Sequence, residues 1–369
     1  MSNHPYKNLP ESSYWAPAVG QRNMFDIDSL WSPKFAIGAK DQVATFGSCF
    51  AQHISRGLKA NGLKWLNAEP GPDVLDEAEQ AKFNYGIFSA RTGNIYTASL
   101  LHQWARWAAS GEAEPAEIWT KDGRFYDPFR PNIEALGFAS EAEMRLSRTA
   151  TVKAFLRCMS TADVFVFTFG LTESWFNRAH GYEYPLCPGT VAGDFDAEMH
   201  EFVNQDYNQI RREMVSAIKL LRTSNPAMRI LLTVSPVPLT ATMSGNHVLV
   251  ANMEAKSVLR AVAGSLTKQF AFVDYFPSYE IISAFPFRGT FFETNQRSVN
   301  HAGVAHVMKC LFDALGTSGE GASTPAADHR ASSKAGERRR TDPRAARKTA
   351  AKDADEVVCE EALLAAFAP

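Results

Sequence analysis

Val43-Ala44-Thr45-Phe46-Gly47-Ser48-Cys49-Phe50-Ala51 reads as an apolar run, a glycine, a hydroxyl residue and the start of a helical pattern that continues through Ile54 and Leu58. A short uncharged run of this kind has the length and composition of a buried parallel strand. Gly47 has no Cβ and so permits a tight bend. Amides at a helix start point toward negative charge. The segment therefore predicts a strand-to-helix turn that presents Ser48, with neighbouring amides able to receive an oxyanion. A serine at this place also suits helix capping. The thiol of Cys49 competes as a nucleophile, but it is expected to turn onto the packing face of the helix as a small core group.

Three more apolar runs, Val164 to Phe169, Ile230 to Val234 and Phe270 to Val273, predict further buried strands. Helical patterns lie between them. The clearest spans about Asn204 to Leu221, where Ile210, Met214, Ile218 and Leu221 recur at helical spacing before Asn225-Pro226 ends the run. Strands alternating with helices predict a doubly wound α/β fold. Its ligand crevice lies at the carboxyl ends of the strands, so the residues after each strand are the candidates for function.

Composition narrows the function classes. The chain has 369 residues, 45% hydrophobic, with a formal net charge of -2, which suits a globular protein with a large core. No charge excess points to nucleic acid or a membrane surface. The first fifteen residues lack a basic start followed by an apolar run, and no apolar stretch is long enough to span a membrane, so a cytoplasmic location is expected. Five cysteines without close pairs predict reduced thiols, and no metal or nucleotide cofactor is expected.

The organisation reads as an N-terminal extension over 1–40 packing on an α/β domain over 41–315, a basic disordered linker over 316–353, and a short C-terminal helix or tail over 354–369. The linker is almost free of large apolar side chains. In the tail, Val357, Ala362 or Leu363, and Phe367 can share one helical face, with Asp355, Glu356, Glu360 and Glu361 near its start. Docking on this protein, docking on a protein partner and a frayed end all remain open.

Further motifs follow in order along the chain: Asn84-Tyr85-Gly86 and Gly93-Asn94-Ile95-Tyr96-Thr97, then Phe169-Gly170-Leu171-Thr172-Glu173-Ser174-Trp175. Ser235 to Thr242, Tyr275 to Glu280, and Arg297-Ser298-Val299 with Gly303-Val304 complete the series. Together with Gly47 to Ala51 these blocks resemble the GSCFA family over roughly residues 5–315. That family is similar to the SGNH/GDSL-like hydrolases, and the resemblance implies a three-layer α/β/α sandwich, flavodoxin-like, with a mostly parallel central sheet and Ser48 as nucleophile.

The same resemblance implies an oxyanion hole made by the Ser48 amide, the Gly86 amide and a side-chain amide in the block Gly170 to Glu173. Thr172 stands where that asparagine is expected, leaving Asn84 or Asn94 to fill the place; each also suits a turn. SGNH hydrolases carry their base in an Asp-x-x-His pattern, and the matching stretch here is Asn295 to Ser298, with Ser298 at the histidine position. Candidate replacements are His247, on a loop expected over the sheet edge, and His301; His53 faces away from the nucleophile on a regular helix. Glu173 can orient a histidine or act as base if burial raises its pKa; otherwise it pairs with Arg130 or Arg178. Lys256 can hold an anionic part of the substrate. The loops Asp127 to Pro131 and Tyr184 to Gly189 either roof a pocket or pack over the sheet.

The expectation is a serine esterase or O-acyltransferase working through an acyl-Ser48 intermediate on a small-molecule or glycan ester. The competing expectation is a non-catalytic ligand-binding protein that has lost the base.

Overall fold

The computed structural model describes residues 4–111, 115–316 and 357–368. Beyond Gly316, the linker expected over 316–353 lies outside the described residues. Among the described residues ten strands are formed: β1 (Gln42–Gly47), β2 (Lys64–Trp65), β3 (Trp119–Lys121), β4 (Arg124–Tyr126), β5 (Val164–Phe169), β6 (Glu173–Asn177), β7 (Glu183–Tyr184), β8 (His200–Asn204), β9 (Arg229–Val234) and β10 (Val273–Tyr275). The α-helices are α1 (Ala51–Ala60), α2 (Glu77–Lys82), α3 (Ala98–Ser110), α4 (Glu141–Thr161), α5 (Tyr207–Ser224), α6 (Val248–Gln269), α7 (Ser278–Ser283) and α8 (His301–Leu315).

Five strands make one parallel sheet in the order β10-β9-β5-β1-β2. Side chains alternate across it with the strand period of two. Ala44, Phe46, Phe165, Phe167, Phe169, Ile230 and Leu232 point to one face and pack with α3, α4, α5 and α6. Val43, Val164, Val166 and Leu231 point to the other and pack with α1, α7 and α8. Burial on both faces explains the uninterrupted apolar runs, and the result is the three-layer α/β/α sandwich. Strand order reverses between β1 and β5, the place where such sheets open a crevice at their carboxyl ends. Ser48 follows β1 at that point.

The helix expected over 204–221 begins slightly later. Asp206 caps it, its side chain accepting from the Gln209 amide at 2.8 Å. The fourth expected strand is displaced: Phe270 is the C-cap of α6, its amide bonded to Leu266 O, and extended pairing starts only at Val273. A short apolar run does not by itself separate a strand from the end of a buried helix. Residues 4–41 lie against the domain, with Ile27 and Ile37 buried in the α1/α8 core and the Lys34 amide bonded to Asp274 at 2.8 Å.

Two smaller sheets lie outside the expected set, the β3/β4 hairpin and the antiparallel β7-β6-β8 sheet. The loop at Asp127 to Pro131 does not roof a pocket. Asp127 is buried and bridges Arg130 Nε at 2.7 Å and Arg148 Nη2 at 2.8 Å. Arg130 is thus spent, and Arg178 pairs with Glu201 at 3.5 Å, so neither arginine is the partner expected for Glu173.

Glu183, fully buried on β7, accepts a hydrogen bond from Thr97. Burial pushes its pKa up to about 8, so the folded state holds a proton that the unfolded chain releases at about pH 4.3. Between those values the folded state binds more protons and stability falls as pH rises, by up to about 1.4 kcal/mol per pH unit. Glu183→Gln should therefore flatten the denaturation midpoint between pH 5 and 8 and raise it most at pH 8. Parallel wild-type and variant curves would refute this.

Candidate active site

The bend at the end of β1 depends on Gly47, whose φ of +126° is one that side-chain-bearing residues rarely adopt. The chain crosses β5 there so closely that the Ser48 amide bonds Thr168 O at 2.9 Å. Ser48 is 2% exposed, and its Oγ has no hydrogen-bond partner among the described residues. The capping role open to this serine is not taken, since α1 begins after Phe50 with no side-chain cap. A buried hydroxyl without a partner costs free energy and calls for an explanation.

Two loops adjoin it. Gly170, just past β5, is so near that a Cβ there would lie 3.0 Å from Ser48 Cβ. Residues 93–96 form the other loop, fixed by Ile95 N to Gly47 O at 2.8 Å and by Gly170 N to Tyr96 O at 2.8 Å. Lys256, fully buried on α6, donates to Gly170 O at 2.8 Å. Burial lowers its pKa to about 8, with Glu361 acting in the opposite direction. It is therefore no surface lysine.

The C-terminal segment lies across these loops. Residues Glu360–Phe367 form a 3-10 helix, with Glu360 and Glu361 each 5% exposed. Val358 O accepts from Gln52 Nε2 at 2.7 Å and from Asn94 Nδ2 at 2.8 Å. The Glu360 carboxylate takes hydrogen bonds from Asn94 and from Tyr96 OH, the latter at 3.0 Å. That of Glu361 takes the Thr240 amide and the Arg297 guanidinium. Burial raises the Glu360 pKa, against the hydrogen bonds from Asn94 and Tyr96. Cys49 and Cys359 interact: the Cys359 thiol and burial hold Cys49 well above the usual thiol range, while the same contact draws Cys359 down to about 7 against the effect of burial. Further along, Leu364 and Phe367 join Trp175, Cys187, Pro188, Thr242 and Met243 around a cavity of about 530 Å³. The Tyr184 to Gly189 loop thus lines a pocket.

Of the residues expected at the site, Ser48, Asn94, Gly170 and Lys256 come together, and the others serve elsewhere. His247 is an exposed N-cap of α6, its Nδ1 accepting from the Leu249 amide at 3.2 Å. His301 is exposed at the first position of α8. His53 stacks edge-on to Phe50 at 5.4 Å. No hydrogen bond joins any of the three to Ser48 Oγ, and none joins Lys256, which is held on the adjacent Gly170 carbonyl. Glu173 lies at the cavity rim with Thr242 and the Met243 amide, and burial raises its pKa.

The expected oxyanion donors also differ. The Ser48 amide is committed to Thr168, and Gly86 lies at the far end of α1, where its carbonyl accepts from Lys59 at 3.0 Å. Asn84 braces the carbonyls of Asn132 and Ile133 at 3.1 Å, and the Thr172 hydroxyl donates to Asn204 at 2.7 Å. Gly93 borders the tail instead, where a Cβ would lie 3.3 Å from Glu360 Oε1. Gln52, Tyr96, Thr240 and Arg297 were given no site role from sequence. Tyr96, Thr240 and Arg297 did lie within the family-like blocks, and Arg297 is also a cation next to the position where the histidine is missing.

The GSCFA family model matches residues 42–311, and the chain belongs to the GSCFA family. No curated protein matches the sequence. A solved structure from Streptococcus pneumonia, provisionally named as a platelet activating factor, is 11% identical and aligns over 58% of this chain and 91% of its own with a TM-score of 0.27. That overlap adds nothing to what the sheet itself shows.

Proposed function

We propose that the protein is a serine esterase or O-acyltransferase working through acyl-Ser48. The observation that carries this is the buried, partnerless Ser48 hydroxyl at the crevice, beside a loop whose Asn94 amide already donates to a carboxyl oxygen. In this reading Ser48 Oγ attacks the ester carbonyl, Asn94 Nδ2 stabilises the oxyanion, and the proton passes to the neutral amine of Lys256. As the carbonyl–alkoxy bond breaks, the Lys256 ammonium returns that proton to the departing alcohol; water or a second hydroxyl, deprotonated by the same amine, then attacks the acyl carbon and Ser48 Oγ leaves with the proton. A glycan or small-molecule ester is the substrate class the family resemblance suggests.

A fluorophosphonate probe tests this. Full-length protein should be labelled on Ser48, with labelling lost in Ser48→Ala, kept in Cys49→Ala and strongly reduced in Lys256→Met. Because a lysine with its pKa near 8 is active when deprotonated, the rate should rise with pH through about 8. An ascent centred near 6.5 would point to a histidine base instead.

That no imidazole among the described residues is hydrogen-bonded to Ser48 favours a second reading, a ligand-binding protein on the same fold. Absence of labelling both in the wild type and in a chain whose tail has been released would establish that reading.

A further inference from the structure

Apart from Asn94, the groups gathered around the tail do a task that esterolysis at Ser48 does not need. Arg297 and the Thr240 amide hold one carboxyl group, while Asn94 and Tyr96 hold a second, on adjacent residues. Buried donors of this kind are costly when unfilled. Gln52 reads the backbone just before them through both Val358 N, at 2.9 Å, and Val358 O. The apolar cavity whose wall includes the half-buried Leu364 and the exposed Phe367 lies next along the segment.

We propose that this cleft is a recognition site for an acidic peptide-like ligand, two neighbouring carboxylates followed by an apolar group, and that residues 357–368 are its tethered occupant. The proposal rests on the reading of Ser48 only where it makes that ligand part of the substrate; the recognition itself does not require catalysis. The occupied segment covers Cys49, Gln52, Asn94 and Tyr96, the immediate surroundings of Ser48. A free ligand must therefore displace it. A segment joined to its own site acts at an effective concentration of about millimolar, so only ligands that reproduce both carboxylates can compete well.

The test uses the full chain in three forms: wild type, Glu360→Gln/Glu361→Gln, which weakens the tail's own grip, and the same double variant carrying Arg297→Gln. The probe is a fluorescent peptide with the sequence of residues 354–368, kept reduced, alongside a copy with both glutamates replaced by glutamine. Charge-assisted hydrogen bonds of this kind are worth about tenfold or more in affinity each. The acidic peptide should bind the double variant at least tenfold more tightly than the glutamine peptide. It should bind wild type at least tenfold more weakly than it binds the double variant. Arg297→Gln should remove most of its advantage over the glutamine peptide. Equal binding of the two peptides, equal binding to wild type and double variant, or no binding to any form would each overturn the proposal.

Fluorophosphonate labelling of the same proteins separates the two ideas. It should rise at least tenfold in the double variant. Peptide discrimination without labelling leaves the recognition site standing and removes the serine chemistry, and labelling without peptide discrimination does the reverse.

Discussion

Gly47→Ala is expected to leave little native protein. A Cβ at that position would lie 2.3 Å from Thr168 O, 2.5 Å from Thr168 N and 2.8 Å from its carbonyl carbon. All three atoms belong to the backbone of β5, the central strand, so no side chain can rotate away. Relief requires β1 to part from β5, which breaks the Ser48 to Thr168 bond and the register around it. The φ of +126° adds strain that any L side chain would feel. The cost should exceed about 4 kcal/mol, a large share of the roughly 5 to 15 kcal/mol that holds a domain folded. Gly86→Ala is the control: its φ is also positive, at +70°, but a Cβ there meets nothing within 4 Å. That change should cost only about 1 kcal/mol. Urea denaturation of both variants measures the difference, and a wild-type midpoint for Gly47→Ala would show that the bend does not need glycine.

The second large effect is at Asp127. Its carboxylate is completely enclosed and is shared by Arg130 and Arg148, both also buried. Burial alone would raise its pKa, but the charges and hydrogen bonds of Arg148 and Arg130 together outweigh it and hold the carboxyl below the usual range. Asp127→Ala strands two guanidinium groups in the interior and should cost about 3 to 5 kcal/mol. The sign of the pH effect follows from the lowered pKa. The stabilisation is present above the unfolded value, near pH 4, and is lost as pH falls through the folded value below it. Asp127→Asn should thus be least stable relative to wild type at neutral pH, and the gap should narrow below about pH 4. A loss under 1 kcal/mol, or a gap that widens in acid, would contradict the ion cluster.

The central strands were legible because sheets buried on both faces are written as unbroken apolar runs, as in Val164 to Phe169. β6 and β8 were not. Their residues alternate between faces, and the strands that pair, 173–177 with 200–204, are far apart in sequence. At the site, the turn at Gly47-Ser48 was legible from local chemistry alone. Lys256 was named as a holder of an anionic group, but its burial was not legible, because Glu254-Ala255-Lys256-Ser257 resembles an ordinary surface helix and only the packing of α6 decides it. His247 was misleading for a related reason: histidine is an uncommon cap, and its ring nitrogen is engaged by its own helix. Arg297, Gln52 and Tyr96 acquire their roles from Val358 to Glu361, a pairing across the whole chain that no local pattern records.

The boundaries of the family match bear on how the molecule can be handled. A fragment cut to residues 42–311 would give up Ile27 and Ile37, baring the α1 and α8 side of its core, and would shed both glutamates from the cradle they fill. Ligand affinities and turnover measured on such a fragment would describe an open receptor. The intact chain carries its own rival for that seat, so the two preparations should be treated as different molecules.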